Sequence, residues 1–217
     1  MKTKIVLVFA ILSLVFAFSG TTKAGVPAAA AGADSVVWVG LDYSRVQMMG
    51  TQVDFANPEG IFPDMLNAWN GLFEEELVAK TGKKMVSRLE TRLGKPVVSD
   101  CEGMTAVNKK ASPAQIVSKT GGKELADQSD IADKDIAAAV KAYTLKQTSG
   151  VGLVFIVDRL VKAPGKKSEG WGALYTVFFD IKSREILGSS RGCYKAGGFG
   201  FRNYWFRPVK DAVDELK

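Results

Sequence analysis

The order of apolar and polar positions predicts one strand early in the chain and three strands near its end. Residues 35–43 are rich in β-branched and aromatic side chains, which is typical of a buried strand, and residues 46–49 could continue it. Three further apolar runs follow at 152–161, 171–181 and 185–194. Because short turns separate these runs, they predict an antiparallel meander.

Two segments between these strands have apolar residues at helical spacing. The clearest helix covers residues 57–80, where an Asn-Pro-Glu start signal precedes a single apolar stripe. A second helix is predicted over 134–146, with Asp133 as its cap. Each helix has one apolar face, so we expect each to pack on the sheet.

The chain ends in a third predicted helix, whose inward-facing apolar residues run as far as Leu216. Pro208 leaves two starts open for this helix. It begins near Arg207 with the proline in its first turn, or near Asn203 with a kink at the proline.

Together these elements predict an α+β fold with a mostly antiparallel sheet. The sheet consists of the N-terminal strand and the three-strand C-terminal meander, and a strand near 97–107 could extend it. About three helices cover one face. Three late strands in a row, without strict alternation of strands and helices, favour this fold over a doubly wound parallel sheet.

The N-terminus has the three zones of a secretory signal peptide, which we place at residues 1–24. Lys2 and Lys4 precede an apolar run over 5–18, and a polar stretch of small residues follows. This run is too short for a membrane span, which needs about 20 residues. We expect cleavage after Ala24, with cleavage near 28–31 as the alternative.

The predicted signal peptide leaves a mature chain with two segments and indicates the compartment of the protein. Residues 25–34 are rich in alanine and glycine and are expected to form a flexible tether, followed by a single domain over 35–217. The first cysteine is Cys101, far from the apolar run, so no lipid anchor is expected. The sequence thus predicts a soluble periplasmic or secreted protein with no membrane span after cleavage.

The charge of the chain argues against a nucleic-acid partner. The whole sequence has a formal net charge of +6, and loss of Lys2, Lys4 and Lys23 with the signal peptide lowers it by three to +3. Proteins dedicated to nucleic-acid binding usually carry dense basic patches. The lysine pair at 109–110 is therefore interpreted as part of a solvated turn.

The sequence contains no histidine, which restricts its chemistry. A Ser-His-Asp triad is impossible, and the commonest ligand of transition metals is missing. No nucleotide or metal motif occurs either, so no cofactor and no metal are expected.

The two cysteines, Cys101 and Cys193, leave two interpretations open. In an oxidising compartment they could form a disulfide, which would close a long loop and stabilise the fold by about 4 kcal/mol. Alternatively, they are two separate small residues of the core.

The most unusual stretch is the glycine-rich segment 197–205. Its backbone, its cation and its aromatic surfaces could bind a phosphate, a carboxylate or a sugar. The candidate ligand-binding residues are Arg202, Asn203, Tyr204, Trp205, Gly198 and Gly200. In the structural interpretation, glycines with positive φ turn the chain from strand to helix, Trp205 fills the core, and Arg202 or Asn203 satisfies loop carbonyls.

Three carboxylates, Asp42, Asp100 and Asp158, could converge in space as a glycosidase-like pair. Asp42 follows a predicted strand, where it could act as a general base or, in the structural interpretation, cap a turn. Asp158 precedes Arg159, and an ion pair between them explains both residues. No residue is assigned as catalytic.

Three motifs stand out in the C-terminal half: GVGLVFI at 150–156, FFDI at 178–181 and GGFGFRNYW at 197–205. These motifs resemble a family of uncharacterised secreted proteins from Bacteroidetes-type bacteria, and the last motif is the most specific. The segment 40–44 and the helix over 57–80 are similar to the N-terminal half of that family. The resemblance implies export and a mixed α/β domain, and it supplies no catalytic residues.

The sequence therefore predicts an exported, non-catalytic protein of the cell envelope. Its partner would be an envelope protein or a small ligand, bound by an exposed sheet face or by the corner at 197–205. Two alternatives remain open, a carboxylate-dependent hydrolase and a module that binds a small anion or sugar at that corner.

Overall fold

The computed structural model describes residues 25–51, 54–55, 57–74, 77–78, 83–165 and 169–216, and the predicted signal peptide lies outside them. The strands are β1 (Val36–Asp42), β2 (Gln47–Gly50), β3 (Leu77–Val78), β4 (Lys83–Lys84), β5 (Val97–Ser99), β6 (Ile116–Ser118), β7 (Val151–Lys162), β8 (Gly170–Asp180) and β9 (Ile186–Lys195). The α-helices are α1 (Ala28–Gly32), α2 (Pro58–Gly60), α3 (Leu66–Glu74), α4 (Met85–Leu93), α5 (Met104–Asn108), α6 (Lys123–Ala126), α7 (Asp133–Ala142) and α8 (Phe201–Glu215).

The central strand of the main sheet is β7, and the other strands are arranged around it. Along one edge of β7, β1 pairs with its first half and β2 with its second half, both in parallel. Outside them, β5 and β6 are parallel neighbours of β1 and β2. Along the other edge of β7, β8 and then β9 add antiparallel strands. The strands β3 and β4 form a separate antiparallel pair.

The prediction of a mostly antiparallel α+β sheet is wrong, because four of the six strand pairings in the main sheet are parallel. The fold is of the α/β type. Part of the error arises at β1 and β2, which run parallel to β7, because the pattern of a segment does not show the direction of its partner. The rest arises at β5 and β6, which have three residues each and are too short to show a periodic pattern. Their partners are also distant in sequence, since Val36 pairs with Val97 and Met48 with Ile116.

Helices cover both faces of the sheet, so the expectation that they cover one face is also wrong. On one face, α3, α4 and α8 pack against a core that includes Trp38 and Phe155. On the other face, α5 and α7 pack against Val37 and Val154. The physical reason lies in β1 and β7, which are apolar on both sides and must be covered on both.

The two internal helices lie close to where the sequence predicts them. The segment predicted over 57–80 forms α2, a π-helical turn over Ile61–Met65 and α3, and its helical part ends at Glu74. Residues 75–76 and 79–80 of that segment lie outside the described residues, and Leu77–Val78 form β3. The helix predicted over 134–146 is α7.

The last helix, α8, begins at Phe201 and contains Pro208 in its interior. Proline has no N–H, so the carbonyl of Tyr204 lacks its usual helical donor. The N–H of Gly197 donates to that carbonyl instead (3.1 Å). Pro208 also lies over Gly172 of β8, where a Cβ would come within 2.6 Å of the proline ring. These two glycines let the helix continue through the proline.

The segment at 25–34, predicted as a flexible tether, packs against the sheet in this structure. Ala30 of α1 is fully buried. The ammonium of Lys95 donates to three carbonyls around the end of α1, those of Ala30 (2.6 Å), Ala31 (2.8 Å) and Ala33 (2.7 Å). This contact ties the N-terminal segment to the chain just before β5.

Candidate functional site

The candidate site is a cleft at the end of β1, between α5 and α7. Its volume is about 200 Å³, and its lining residues are Asp42, Ser44, Arg45, Val107, Lys110, Ala138, Ala139, Ala142 and Tyr143. It combines a buried acidic floor with two cations and a short apolar wall.

Asp42 ends β1 and is fully buried. Its Oδ1 accepts the N–H of Ser44 (2.8 Å), which confirms the interpretation of Asp42 as a turn cap. Its Oδ2 accepts the hydroxyl of Tyr143 (2.7 Å), the residue that follows α7. Each carboxylate oxygen has two acceptor positions, so these two bonds do not exhaust the acceptor capacity of Asp42.

Burial and the Asp42 carboxylate both favour the protonated form of Tyr143. Burial and the neighbouring Asp42 carboxylate raise the pKa of Tyr143 well above its usual value of 10.0. Tyr143 is therefore protonated at physiological pH and donates its proton to Asp42. The phenol oxygen keeps acceptor capacity for a second group.

Two amide side chains, the buried Asn108 and the half-buried Asn70, hold the end of β1 in place. Asn108 of α5 accepts the N–H of Tyr43 (2.7 Å) and donates to the carbonyl of Leu41 (3.0 Å). On the other side of the sheet, Asn70 of α3 accepts the N–H of Leu41 (2.7 Å) and donates to its carbonyl (3.0 Å). These bonds satisfy backbone groups at the point where β1 ends, so Asp42 has a fixed position.

Two cations, Arg45 and Lys110, lie at the cleft. The guanidinium of Arg45 is 3.6 Å from Asp135 of α7, and its side chain is 39% exposed. An ion pair this exposed is weak, so Arg45 can turn toward a ligand at little cost. Lys110 follows α5 and is exposed. The positive charge of the site is thus accessible from solvent.

Small residues leave the space for the cleft. Three alanines, Ala138, Ala139 and Ala142, lie on its α7 side. Gly103, which precedes α5, approaches the end of α7 so closely that a Cβ there would be 2.2 Å from the carbonyl oxygen of Thr144. Glycine at this position therefore lets the start of α5 approach the end of α7 closely.

Asp158 belongs to a separate network. Asp42 lies opposite Ile156 on β7, two residues before Asp158, so the two acids are close in register. However, Asp158 is buried and its Oδ2 accepts Nε of Arg191 (2.8 Å), and among the described residues it does not line the cleft. The ion pair predicted with Arg159 is replaced by this one, and Arg159 instead bonds to Asp130.

Arg191 holds the loop after α6 against the sheet. Its guanidinium donates to three successive carbonyls, those of Ala126 (2.5 Å), Asp127 (3.0 Å) and Gln128 (2.6 Å). Burial raises the pKa of Asp158, although the charge of Arg191 opposes that shift. This network is a structural clamp.

Asp100 also has a structural role. Its Oδ2 accepts the N–H groups of Lys146 (2.8 Å) and Gln147 (2.9 Å), and the residue is buried. The three acids singled out in the sequence are thus bound by three different sets of partners, and they do not form one carboxylate site.

The backbone of the corner at 197–205 matches its structural interpretation. Gly198 and Gly200 have positive φ angles of 127° and 78°. Trp205 is buried and stacks on Phe55, with 5.7 Å between ring centroids. The hydroxyl of Tyr204 accepts a hydrogen bond from Lys162 (2.8 Å).

The two remaining residues of that corner, Arg202 and Asn203, lie on the exposed first turn of α8. Asn203 donates to the carbonyl of Phe199 (3.3 Å), so it satisfies a loop carbonyl. Ligand binding by this corner stays a prediction.

Cys101 and Cys193 are free thiols in different parts of the fold. The Sγ of Cys101 is 3.6 Å from the carbonyl oxygen of Trp38 on β1. Cys193 lies on β9, three strands from β1. At about 4.8 Å per strand this separation is about 14 Å, whereas a disulfide needs Cα atoms within about 7 Å. The fold therefore favours two separate residues over a disulfide.

Both thiols should be slow to react in the folded protein. Burial raises the pKa of Cys101 to about 12 and that of Cys193 to about 11. The thiolate is the reactive form, so alkylation near neutral pH should be at least about 100-fold slower than after denaturation. Intact mass after alkylation in denaturant without reductant should show both cysteines modified. An unmodified chain would contradict this expectation.

Sequence reasoning misses Tyr143, Arg45 and Lys110 as site residues. Tyr143 lies within the helix predicted over 134–146, and its hydroxyl meets Asp42 across 101 residues of sequence. The one sequence signal for Tyr143 is general: a tyrosine on a buried helix face needs a hydrogen-bond partner for its hydroxyl. Lys110 has no local signal that separates it from a solvated lysine.

Comparison with known proteins does not assign this chain to a family. No protein-family model and no curated protein matches it. Among solved structures it is similar to a protein described as a neuraminyllactose-binding hemagglutinin homolog from Helicobacter pylori, with 12% identity, a TM-score of 0.32 and coverage of 92% of this chain and 87% of that one. At this TM-score the similarity supports no inference. The resemblance to secreted Bacteroidetes-type proteins stays a prediction.

Within the described ranges, no three histidine, cysteine, aspartate or glutamate side chains are grouped so that they could hold a metal. The helices in the same ranges include none with the length and apolar character needed to cross a bilayer.

Proposed function

We propose that the protein is exported to the cell envelope and binds a small anionic ligand in the cleft beside Asp42. The proposal rests on one observation, the buried Asp42–Tyr143 pair at a cavity that also carries Arg45 and Lys110. The N-terminal sequence supports export. The lack of histidine in the sequence favours binding over acid–base catalysis near neutral pH.

The Asp42–Tyr143 pair exceeds what the local structure requires. One carboxylate oxygen is enough to cap the turn at Ser44. The other oxygen accepts the Tyr143 hydroxyl, which satisfies both buried groups and adds no backbone bond. Both groups lie at the cavity and keep acceptor capacity, which is what a site for hydroxyl or ammonium donors needs.

The lining favours a ligand with an acidic group at one end and hydrogen-bond donors at the other. Arg45 and Lys110 can bind a carboxylate or phosphate through charge-assisted hydrogen bonds. The cavity of about 200 Å³ is smaller than the pockets of about 300–1,000 Å³ that hold drug-sized molecules. Amino acids, hydroxy acids and small sugar phosphates have the matching size and chemistry.

Filling the cleft with Ala142→Leu should abolish ligand binding. Ala142 lines the cavity and is exposed, so the larger side chain occupies the cleft without displacing the core. Binding of phosphoserine and glucose 6-phosphate would be measured by calorimetry and NMR shift changes, with serine and glucose as counterparts. We expect at least one phosphate compound to bind the wild type at least about tenfold more tightly than its counterpart.

Ala106→Leu is the matched control, because Ala106 is an exposed residue of α5 outside the cleft lining. It should leave binding unchanged, and Lys110→Ala should weaken binding of the phosphate compound alone. The proposal fails if neither phosphate compound binds, or if Ala142→Leu binds as tightly as the wild type.

A further inference from the structure

The guanidinium of Arg45 already has an acidic partner beside the cleft. Arg45 lines the cavity, and its Nη1 is 3.6 Å from Oδ1 of Asp135 in the first turn of α7. Asp135 itself is not among the described residues that line the cleft. One of the two cations of the proposed site is therefore engaged by an acid of the protein itself.

Asp135 has a fixed position at the start of α7. Its Oδ2 accepts the N–H of Ala132 (3.0 Å), the residue before the helix, so the same carboxylate caps α7. Its side chain is 29% exposed, compared with 39% for Arg45. Because a backbone bond holds the carboxylate, the guanidinium is the group that can leave the pair.

The backbone that carries Arg45 is fixed as well. On one side, the N–H of Ser44 donates to Asp42 (2.8 Å), and Gln115 donates to the carbonyl of Ser44 (3.1 Å). On the other side, Val46 is fully buried. A change of partner by Arg45 therefore requires rotation of its side chain and no movement of the turn.

The charge of Arg45 also acts on the floor of the cleft. Burial and the Asp42 carboxylate raise the pKa of Tyr143, and the charge of Arg45 opposes this rise. The guanidinium thus borders the cavity even while it is paired with Asp135. From this position, side-chain rotation can direct it to an acidic group in the cleft.

We propose that Asp135 regulates the cleft as an internal competitor for the acidic group of the ligand. This inference rests on the proposed function of the cleft. In the ligand-free protein Asp135 holds Arg45, and an acidic ligand must take the guanidinium from it. An exposed ion pair changes an equilibrium constant by up to about fivefold, so Asp135 lowers the affinity for acidic ligands by up to that factor. A neutral ligand leaves the pair intact and is unaffected.

Asp135→Asn tests this inference. The amide keeps an acceptor for the N–H of Ala132 and loses the charge that holds Arg45. In calorimetry the variant should bind phosphoserine or glucose 6-phosphate about three- to fivefold more tightly than the wild type, with no change for glucose. A gain of affinity separates competition from a merely structural role, because damage to the site would weaken binding.

Asp133→Asn is the matched control. Asp133 lies in the same first turn of α7 and is exposed, whereas the carboxylate that contacts Arg45 belongs to Asp135. Both variants remove one negative charge from the same helix end, where acidic residues are favourable, so their effects on the helix should be similar. Asp133→Asn should change the affinity for the phosphate compounds by less than about twofold.

Two results would overturn the competition while the proposed function stands. One is a wild type that binds a phosphate compound and an Asp135→Asn variant that binds it no more tightly. The other is an equal gain in Asp133→Asn, since a general loss of negative charge would then explain the effect. If neither phosphate compound binds any of the three proteins, the cleft is not an anion site and both proposals are wrong.

Discussion

Arg191→Met should destabilise the protein by about 3–5 kcal/mol. The substitution leaves the Asp158 carboxylate buried without its counter-charge and removes the donors to the carbonyls of residues 126–128. Chemical denaturation followed by circular dichroism measures the change in the free energy of unfolding. A loss below about 1 kcal/mol, the usual range for a surface ion pair, would contradict the role of Arg191 as a clamp.

The Arg191 effect has a matched control and a rescue. Arg207→Met removes the exposed pair with Asp211 and should cost about 1 kcal/mol or less. The double variant Asp158→Leu with Arg191→Met removes both charges of the pair and should recover most of the loss. Recovery should be incomplete because the loop carbonyls still lack their donors.

The loss of stability in Arg191→Met should depend on pH in a defined direction. Burial raises the pKa of Asp158 in the folded state above its reference value of 3.8, so protonation of this group favours folding. Its contribution to stability is fully present below the unfolded pKa and is lost as the pH rises through the folded pKa. Loss of Arg191 raises that folded pKa further. The difference between wild type and Arg191→Met should therefore shrink as the pH falls below neutrality.

Gly103→Ala should destabilise the protein by about 1–3 kcal/mol and widen the cleft. The φ of Gly103 is −63°, which any residue adopts, so the effect is steric. The new Cβ would lie 2.2 Å from the carbonyl oxygen of Thr144, and α5 and α7 must separate. Thr144 follows Tyr143, so this movement also draws the tyrosine hydroxyl from Asp42. Ligand binding in the cleft should weaken together with stability.

Gly71→Ala provides the control with the opposite sign. Gly71 lies inside α3, and a Cβ there would meet no heavy atom within 4 Å. Alanine is a better helix former than glycine, so this variant should be more stable by up to about 1 kcal/mol. If both glycine variants lost the same stability, any added side chain would have this effect. The steric explanation for Gly103 would then be wrong.

Only one residue of the candidate site could be predicted from the sequence. Asp42 can be singled out because it is an acid at the end of an apolar strand. Its partner Tyr143 and the supporting Asn108 come from helices that are distant in sequence, and no spacing rule connects them to Asp42. The GGFG segment at 197–200 was recognisable as unusual, but its composition does not show that Phe199 points to solvent while Phe201 and Trp205 pack inside.

The sequence by itself determined the elements whose signal is local. The long apolar runs predict β1, β7, β8 and β9, and the helical stripes predict α3, α7 and α8. Each of these elements can be predicted because the spacing of apolar residues within one segment indicates its secondary structure. Tertiary structure decided how these elements combine. It made β1 and β2 parallel to β7, and it brought Tyr143 to Asp42 and Arg191 to Asp158. Such contacts depend on the packing of segments far apart in the chain, and the pattern of any one segment is compatible with several partners.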